Sequence, residues 1–360
     1  MVVTLDLAKA RTADLVAGAS PLAELMAGLH VLAEPEHHPE SRAWLGRVRE
    51  RMPDSLVTDL GYLAPLWARF RCRLFYPTAG PLDRDLDTEL DALSRLDEDT
   101  FVRYAAIAVR GTTIPVDGLR SDAVAREAFL RACERRSYSR GELARALVTD
   151  PAAVRAGLVE TLGRCAASYF DAEWRTVGSR LRDVAARLRT EIRGAPVAAT
   201  LAAMSPTASA TSVPPRVHYD KLQSATGAVA AHGCLLVPTL RGWPHLIVKL
   251  DPELPLVVHF LAGDWEQHRQ VPQSLVRERL AALAEPARLD LCRHLLGEPI
   301  TTSELAERTA LTEPQVSRHI RRLREVGLVT SRREGRMVYH RLHAKLLLDL
   351  GVDLLTTVMR

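Results

Sequence analysis

No stretch of this sequence approaches the ~18 consecutive apolar residues of a membrane span, so no membrane-embedded segment is expected. The first residues, MVVTLDLAKARTADL, lack a basic start, an apolar middle and a small-residue cleavage site. Nothing there directs export, and the cytoplasm is the expected compartment. Cysteine is scarce: Cys72, Cys133, Cys165, Cys234 and Cys292 are scattered without a C-x-x-C pair. That spacing excludes a zinc ribbon and a disulfide framework and predicts reduced, buried thiols. A sensor built from cysteines gathered in space is the alternative. Also missing are a P-loop, G-x-G-x-x-G, G-x-S-x-G and H-E-x-x-H, so no catalytic residue and no cofactor is assigned.

What is present is ordinary globular composition, 47% hydrophobic and 26% charged, over 360 residues. That length is too great for one core and suggests two or three domains. The expected fold is mainly α. Residues 1–194 read as a helical domain for sensing or regulation, with helices punctuated by prolines at 21, 35, 39, 53 and 151 and a long helix from Pro151 to Ile192. Residues 195–271 read as a small α/β segment: a turn-rich link, SPTASATSVPP, precedes strand-like runs at Arg216–Tyr219, Cys234–Val237, Leu246–Leu250 and Leu256–Leu261. Residues 272–360 read as a winged helix-turn-helix that binds DNA and dimerises.

This last assignment rests on the stretch TEPQVSRHIRRLREVG, residues 312–327. Val316, Ile320, Leu323 and Val326 recur at helical spacing, while Gln315, Arg318, Arg321 and Arg322 fall on the other side. Thr312 is a good N-cap, Gln315 can complete a capping box, Pro314 suits the first turn and Gly327 marks the stop. A shorter helix, TTSELAERTA, precedes it across a tight link at Ala310 and Leu311, with its own capping box at Thr301 and Glu304. Two strand-like runs, Leu328–Arg333 and Met337–Leu342, follow around Glu334, Gly335 and Arg336. The formal net charge is only +4, yet eight arginines against two acids lie between Arg318 and Arg341. A basic patch of this kind is the footprint of nucleic-acid binding. Finally Leu346, Leu350, Leu354 and Val358 form a stripe too apolar for water, which either covers this domain or meets a copy of itself.

The blocks AEPARLDLCRHLL, ITTSELAERTALTEPQVSRHIRRLREVGLV and SRREGRMVYHRL closely resemble the winged helix-turn-helix of ArsR-type bacterial transcriptional regulators. The resemblance covers the last quarter of the chain. It implies a homodimer formed through Ser274–Leu283 and Lys345–Met359, and a palindromic double-stranded DNA operator with one recognition helix in each major groove. The preceding two-thirds is similar to a poorly characterised helical domain that accompanies this module in regulators of GC-rich bacteria, and that similarity implies no ligand. Members that sense soft metals do so through a cysteine pair before the recognition helix or through groups on the last helix. Here the first place holds Thr302, Ser303 and Glu304. The last helix offers only Asp349 and Asp353, with no histidine after His343. No metal site is therefore expected, and Cys292, His294, His37, His38, His340 and His343 are read as structural.

Gln315, Ser317, Arg318 and His319 are assigned to base edges, Arg318 to a bidentate guanine contact. Ser317 and His319 sit on the shoulders of the helix, where packing is the alternative role. Arg321, Arg322, Arg332, Arg333 and Arg336 are assigned to phosphates. A small-molecule or protein-binding site is expected in the helical part, where Trp44, Tyr62, Trp67, Phe70, Phe75, Tyr76, Tyr169 and Trp174 either line a pocket or form core. The signal is expected to be a non-metal one, and the output repression. The rival classes are an enzyme with an appended DNA-binding domain and a protein or RNA adaptor.

Overall fold

The computed structural model describes residues 2–38, 41–68, 72–111, 116, 118–221, 224–242, 245–263, 271–297, 299–335 and 337–359. The chain divides into two compact units, residues 1–264 and 265–360.

The first unit opens with two short strands, β1 (Val2–Asp6) and β2 (Leu15–Ala17). Among the described residues nine α-helices follow: α1 (Pro21–Ala33), α2 (Arg42–Arg49), α3 (Asp54–Leu63), α4 (Leu86–Ser94), α5 (Glu98–Arg110), α6 (Ala123–Glu134), α7 (Tyr138–Thr149), α8 (Pro151–Cys165) and α9 (Asp171–Gly194). Polar caps start them. Ser20, Asp85, Asp97, Asp122, Ser137 and Asp150 each accept an amide hydrogen bond from the first turn, which satisfies donors the helix itself cannot. Helix α1 is buried on every side from Pro21 to Val31, so its sequence is apolar all round instead of striped. The long helix expected from Pro151 is α8 and α9 joined by a π turn over Ala166–Phe170.

After α10 (Val197–Ala202) come β3 (Ser209–Ser212), β4 (Pro215–Asp220), β5 (Ala225–Ala228), α11 (Val229–His232), β6 (Cys234–Thr239), β7 (Ile247–Lys249) and β8 (Leu256–Leu261). One sheet runs β3-β4-β1-β5 and the other β2-β6-β8-β7. In the first, β1 lies antiparallel to β4, with Val3 opposite Tyr219, and parallel to β5. In the second, β2, β6 and β8 are parallel and β7 is antiparallel to β8.

The expected boundary at residues 194/195 is therefore corrected. Strands from the first 17 residues complete both sheets made by residues 209–261, and Leu188 and Ile192 of α9 join Val3, Val217 and Val258 in one core. The apolar pattern of one strand cannot reveal such pairing, because the partner strands lie about two hundred residues away. The turn-rich link also supplies β3, which pairs along β4 although all four of its residues are exposed.

The second unit holds α12 (Gln273–Leu283), α13 (Pro286–Gly297), β9 (Ile300–Thr301), α14 (Thr302–Thr309), α15 (Glu313–Glu325), β10 (Val329–Glu334), β11 (Met337–Leu342) and α16 (Ala344–Met359). Its core joins Leu291, Leu295, Ile300 and Leu305 to Val316, Ile320, Leu323 and Val326. The chain as a whole is mainly α.

Candidate nucleic-acid interface

Helix α15 is built as its spacing predicts. Val316, Ile320 and Leu323 are fully covered, while Ser317, Arg318 and Arg321 are exposed on the opposite face. At its start the Thr312 amide donates to Gln315 Oε1 at 2.8 Å, and the Thr312 hydroxyl reaches the same oxygen at 2.9 Å. The preceding α14 is capped by Thr301, whose hydroxyl accepts from the Glu304 amide at 3.3 Å. Ala310 takes the left-handed conformation between the helices, with φ 56°. At the far end Gly327 has φ 78°, and the Leu328 amide donates to the Leu323 carbonyl at 2.9 Å. This geometry turns the chain sharply into β10.

Strands β10 and β11 pair antiparallel, with Val329 opposite Leu342 and Glu334 opposite Met337, and β9 adds a third strand beside β11. His340 holds this wing to α14. Its ring nitrogens lie 3.0 Å from Thr302 Oγ1 and 2.7 Å from Ser331 Oγ. Burial, and then the positive charge of Arg324, push the His340 pKa below its ordinary value. The structural reading of this histidine thus has a physical basis.

The expected DNA-facing residues do not all stand alike. Arg318 and Ser317 are exposed on the outer face of α15. Gln315 is half-buried, and its side-chain oxygen is taken up by the cap. His319 is half-buried beside Glu285 and Arg288, with its pKa lowered by burial and then by Arg288. Packing at the shoulder of the helix is thereby favoured for it. Arg321 is exposed, whereas Arg322 is ion-paired with Glu325 at 3.2 Å and lies 3.9 Å from Glu278. On the wing Arg332 and Arg333 are exposed, near Glu334 and the Gly335 carbonyl respectively. Arg336 lies outside the described residues.

Two functional supports escaped sequence reasoning. Arg279 and Asp353 form a buried ion pair at 3.1 Å between α12 and α16, and Arg279 Nε also donates to the Val326 carbonyl at 3.2 Å. This arginine therefore holds the carboxyl end of α15 in place. Its signal was a charge inside an apolar stripe on each helix: Arg279 between Val276 and Leu283, and Asp353 three residues after Leu350. The stripe expected on α16 is also redrawn. Leu350, Asp353 and Thr356 are buried, whereas Leu348, Val352, Leu354 and Val358 are exposed.

In the first unit the pocket-or-core alternative resolves mainly to core. Trp67, Phe75, Tyr76 and Tyr169 are buried, Tyr62 is on the surface, and Phe70 lies outside the described residues. Trp174 stacks on Phe170 at 5.6 Å, and Trp44 donates to Glu173 at 2.6 Å. All five cysteines are free and buried, and burial pushes the thiols of Cys165 and Cys234 up to about 12. They are poor nucleophiles and poor redox sensors. His30, His38 and His245 also come together, which their sequence separation hid.

Residues 283–332 match the helix-turn-helix domain family. The arsenic resistance transcriptional regulator ArsR1 of Pseudomonas putida is 42% identical over 57 residues, covering 16% of this chain and 44% of that protein. The HTH-type transcriptional regulator NmtR of Mycobacterium tuberculosis is 38% identical over 77 residues, covering 21% of this chain and 64% of that protein. The crystal structure of a possible transcriptional regulator for arsenical resistance shares 36% identity over 21% of this chain and 78% of its own, with a TM-score of 0.20. The chain thus spans 44% to 64% of the length of these two curated relatives. The C-terminal unit is an ArsR-type winged helix-turn-helix. Residues 1–266 match a second model along almost three-quarters of the sequence, across both sheets and all the helices between them, and the chain belongs to the family of unknown function DUF5937.

Proposed function

We propose that this protein is a sequence-specific, DNA-binding transcriptional regulator that represses from a palindromic operator as a homodimer. The observation that carries the reading is the outer face of α15. Ser317, Arg318 and Arg321 are exposed there on a helix whose other face is locked into a core, and the exposed Arg332 and Arg333 of the wing lie on the adjoining hairpin. A rigid helix with one bidentate donor toward bases and cations toward phosphates is what groove readout requires.

Dimerisation is supported by the exposed Leu348, Val352, Leu354 and Val358 of α16, with Leu280 of α12 also exposed. An apolar row of this kind is stabilised when a second copy covers it across a two-fold axis. Regulatory input is assigned to residues 1–264. A cavity of about 70 Å³ there is lined by Ser20, Leu22, Tyr76, Arg84 and Glu89, among others. Burial pushes the Glu89 carboxyl up to about 7, and it accepts from the Leu22 amide at 2.8 Å. The cavity is well below the ~300 Å³ of a pocket for a drug-sized molecule.

The test is a gel shift of the full chain on DNA from around its own gene, at raised salt and with excess competitor. A discrete complex that survives unrelated competitor is expected, followed by a palindromic footprint. Complexes that vanish equally with any competitor would remove the operator reading and leave an adaptor or an enzyme.

A further inference from the structure

Away from the DNA-facing surface, one side-chain group has the composition of a metal centre. His30 lies in the last turn of α1, and His38 just past the short turn Pro35–His37 that follows it. His245 lies in the connection between β6 and β7. Their ring centroids are 5.0 Å apart for His30 and His38, 5.2 Å for His30 and His245, and 5.6 Å for His38 and His245. One ligating nitrogen from each ring lies within 4.8 Å of the other two. Tetrahedral zinc bound at ~2.0–2.1 Å sets imidazole nitrogens ~3.4 Å apart, so each ring has less than ~1 Å to travel. His30 and His38 are buried, at 3% and 0% exposure, and His245 is half-buried. The group is therefore enclosed by protein yet approachable from one side.

The surroundings hold the rings for this task. His30 Nδ1 lies 3.1 Å from the Trp67 carbonyl oxygen. Only a protonated Nδ1 can donate to a carbonyl, which leaves Nε2 as the lone-pair nitrogen, the arrangement that orients metal-binding imidazoles. His245 and the nearby Arg241 are held as well. The His245 amide donates to the Gly242 carbonyl at 2.6 Å. Arg241 pairs with Glu24 of α1 at 3.1 Å and with Glu173 of α9 at 2.9 Å, while its guanidinium lies 4.4 Å above the Trp44 ring. The nearby cation is thus directed onto two carboxylates, and Arg241 is clamped to the helix that carries His30. This clamp joins positions more than two hundred residues apart, where a metal clip removes the most freedom from the unfolded chain.

We propose that His30, His38 and His245 bind one divalent transition-metal ion of the zinc class through three imidazole nitrogens, with water in the fourth position. Imidazole ligands without thiolates select zinc, cobalt or nickel over magnesium or calcium. The ion ties the end of α1 to the β6–β7 connection and makes the stability of the first unit dependent on metal.

The experiment uses the full chain, stripped with chelator and titrated with Co(II) and then Zn(II). Expected are one ion per chain, the intense visible bands of tetrahedral cobalt, and a rise in thermal midpoint with Zn(II) that Mg(II) does not reproduce. His245→Gln and His38→Gln should each weaken Zn(II) binding by about a hundredfold or more, a loss at least as large as those seen on removing outer-shell partners. His232→Gln, an exposed histidine bonded to the Pro252 carbonyl, should bind as the parent does. X-ray absorption on the zinc-loaded parent gives a readout independent of whether the variants fold, and three imidazole nitrogens in the first shell are expected. Binding that is absent, that persists unchanged in both variants, or that shows a shell lacking imidazole overturns the site in favour of a metal-free cluster of packed imidazoles. None of these readouts requires DNA, so failure here is separable from failure of the operator reading.

Discussion

On the proposed reading Arg318 contacts bases and the wing arginines contact phosphates, so their substitution should separate two kinds of binding loss. Arg318 stands exposed on the outer face of α15, where a guanidinium can reach the two acceptors of a guanine edge. Arg318→Ala should cost about 1–3 kcal/mol on the operator and little on other DNA, measured as the ratio of the two affinities. Replacing Arg332, Arg333 and Arg336 with alanine should weaken binding on every sequence and lower the salt slope by about one per lost phosphate contact. Equal losses on all sequences for Arg318→Ala would refute its base-reading role. Arg322 should matter less than its position suggests, because Glu325 and Glu278 already neutralise it. A pH dependence also belongs to this scale. The pKa of His340 is lowered in the fold, so below about 6.5 the unfolded chain binds more protons than the folded one. Stability of the winged unit should fall as pH drops through that value and level off below the folded pKa. His340→Gln should flatten this part of the profile, read from thermal midpoints between neutral and mildly acidic pH. His319 contributes with the same sign, so some slope will remain.

At the scale of elements, α15 is positioned by a partner that no local rule could supply. Arg279 reaches both Asp353 and the Val326 carbonyl from a buried position. Removing one member of a buried pair leaves the other charge without compensation, and Arg279→Ala should destabilise the second unit by roughly 3–5 kcal/mol in denaturant unfolding. Asp353→Ala should cost a similar amount. The double replacement Arg279→Met with Asp353→Leu should recover most of the loss, because no charge is then stranded. If the double variant is no better than the singles, the loss comes from packing and not from charge. The helices themselves were legible from caps and periodicity: Ser20, Asp97, Thr301 and Thr312 each stand where a helix begins. The strands were less so. β1 does alternate, with Val3 and Leu5 buried, but five residues carry too little pattern to outweigh the helical signals that follow. Ser209–Ser212 has no apolar face at all and is a strand only because β4 offers a ladder beside it.

For the whole molecule, the exposed apolar row of α16 predicts the oligomeric state. Leu348→Glu combined with Val352→Glu places two carboxylates in the proposed dimer seam while leaving Leu350 and the Arg279–Asp353 pair in place. Light scattering should then report a monomer at concentrations where the parent is a dimer. Operator affinity should fall by about a hundredfold or more as one half-site loses its tether. A dimer that persists would move the interface elsewhere. Among the described residues no helix is long and apolar enough to cross a membrane. By itself the sequence determined the recognition helix, the shorter helix before it and the wing hairpin, because caps, a 3.6-residue stripe, a left-handed glycine and a charged hairpin are all local signals. Only the tertiary structure decided that residues 1–17 close two sheets with residues 209–261, that Arg279 meets Asp353, and that His30, His38 and His245 share one site. Each of these joins positions tens to hundreds of residues apart, and contact at that distance is set by how the whole chain packs and not by any spacing along it.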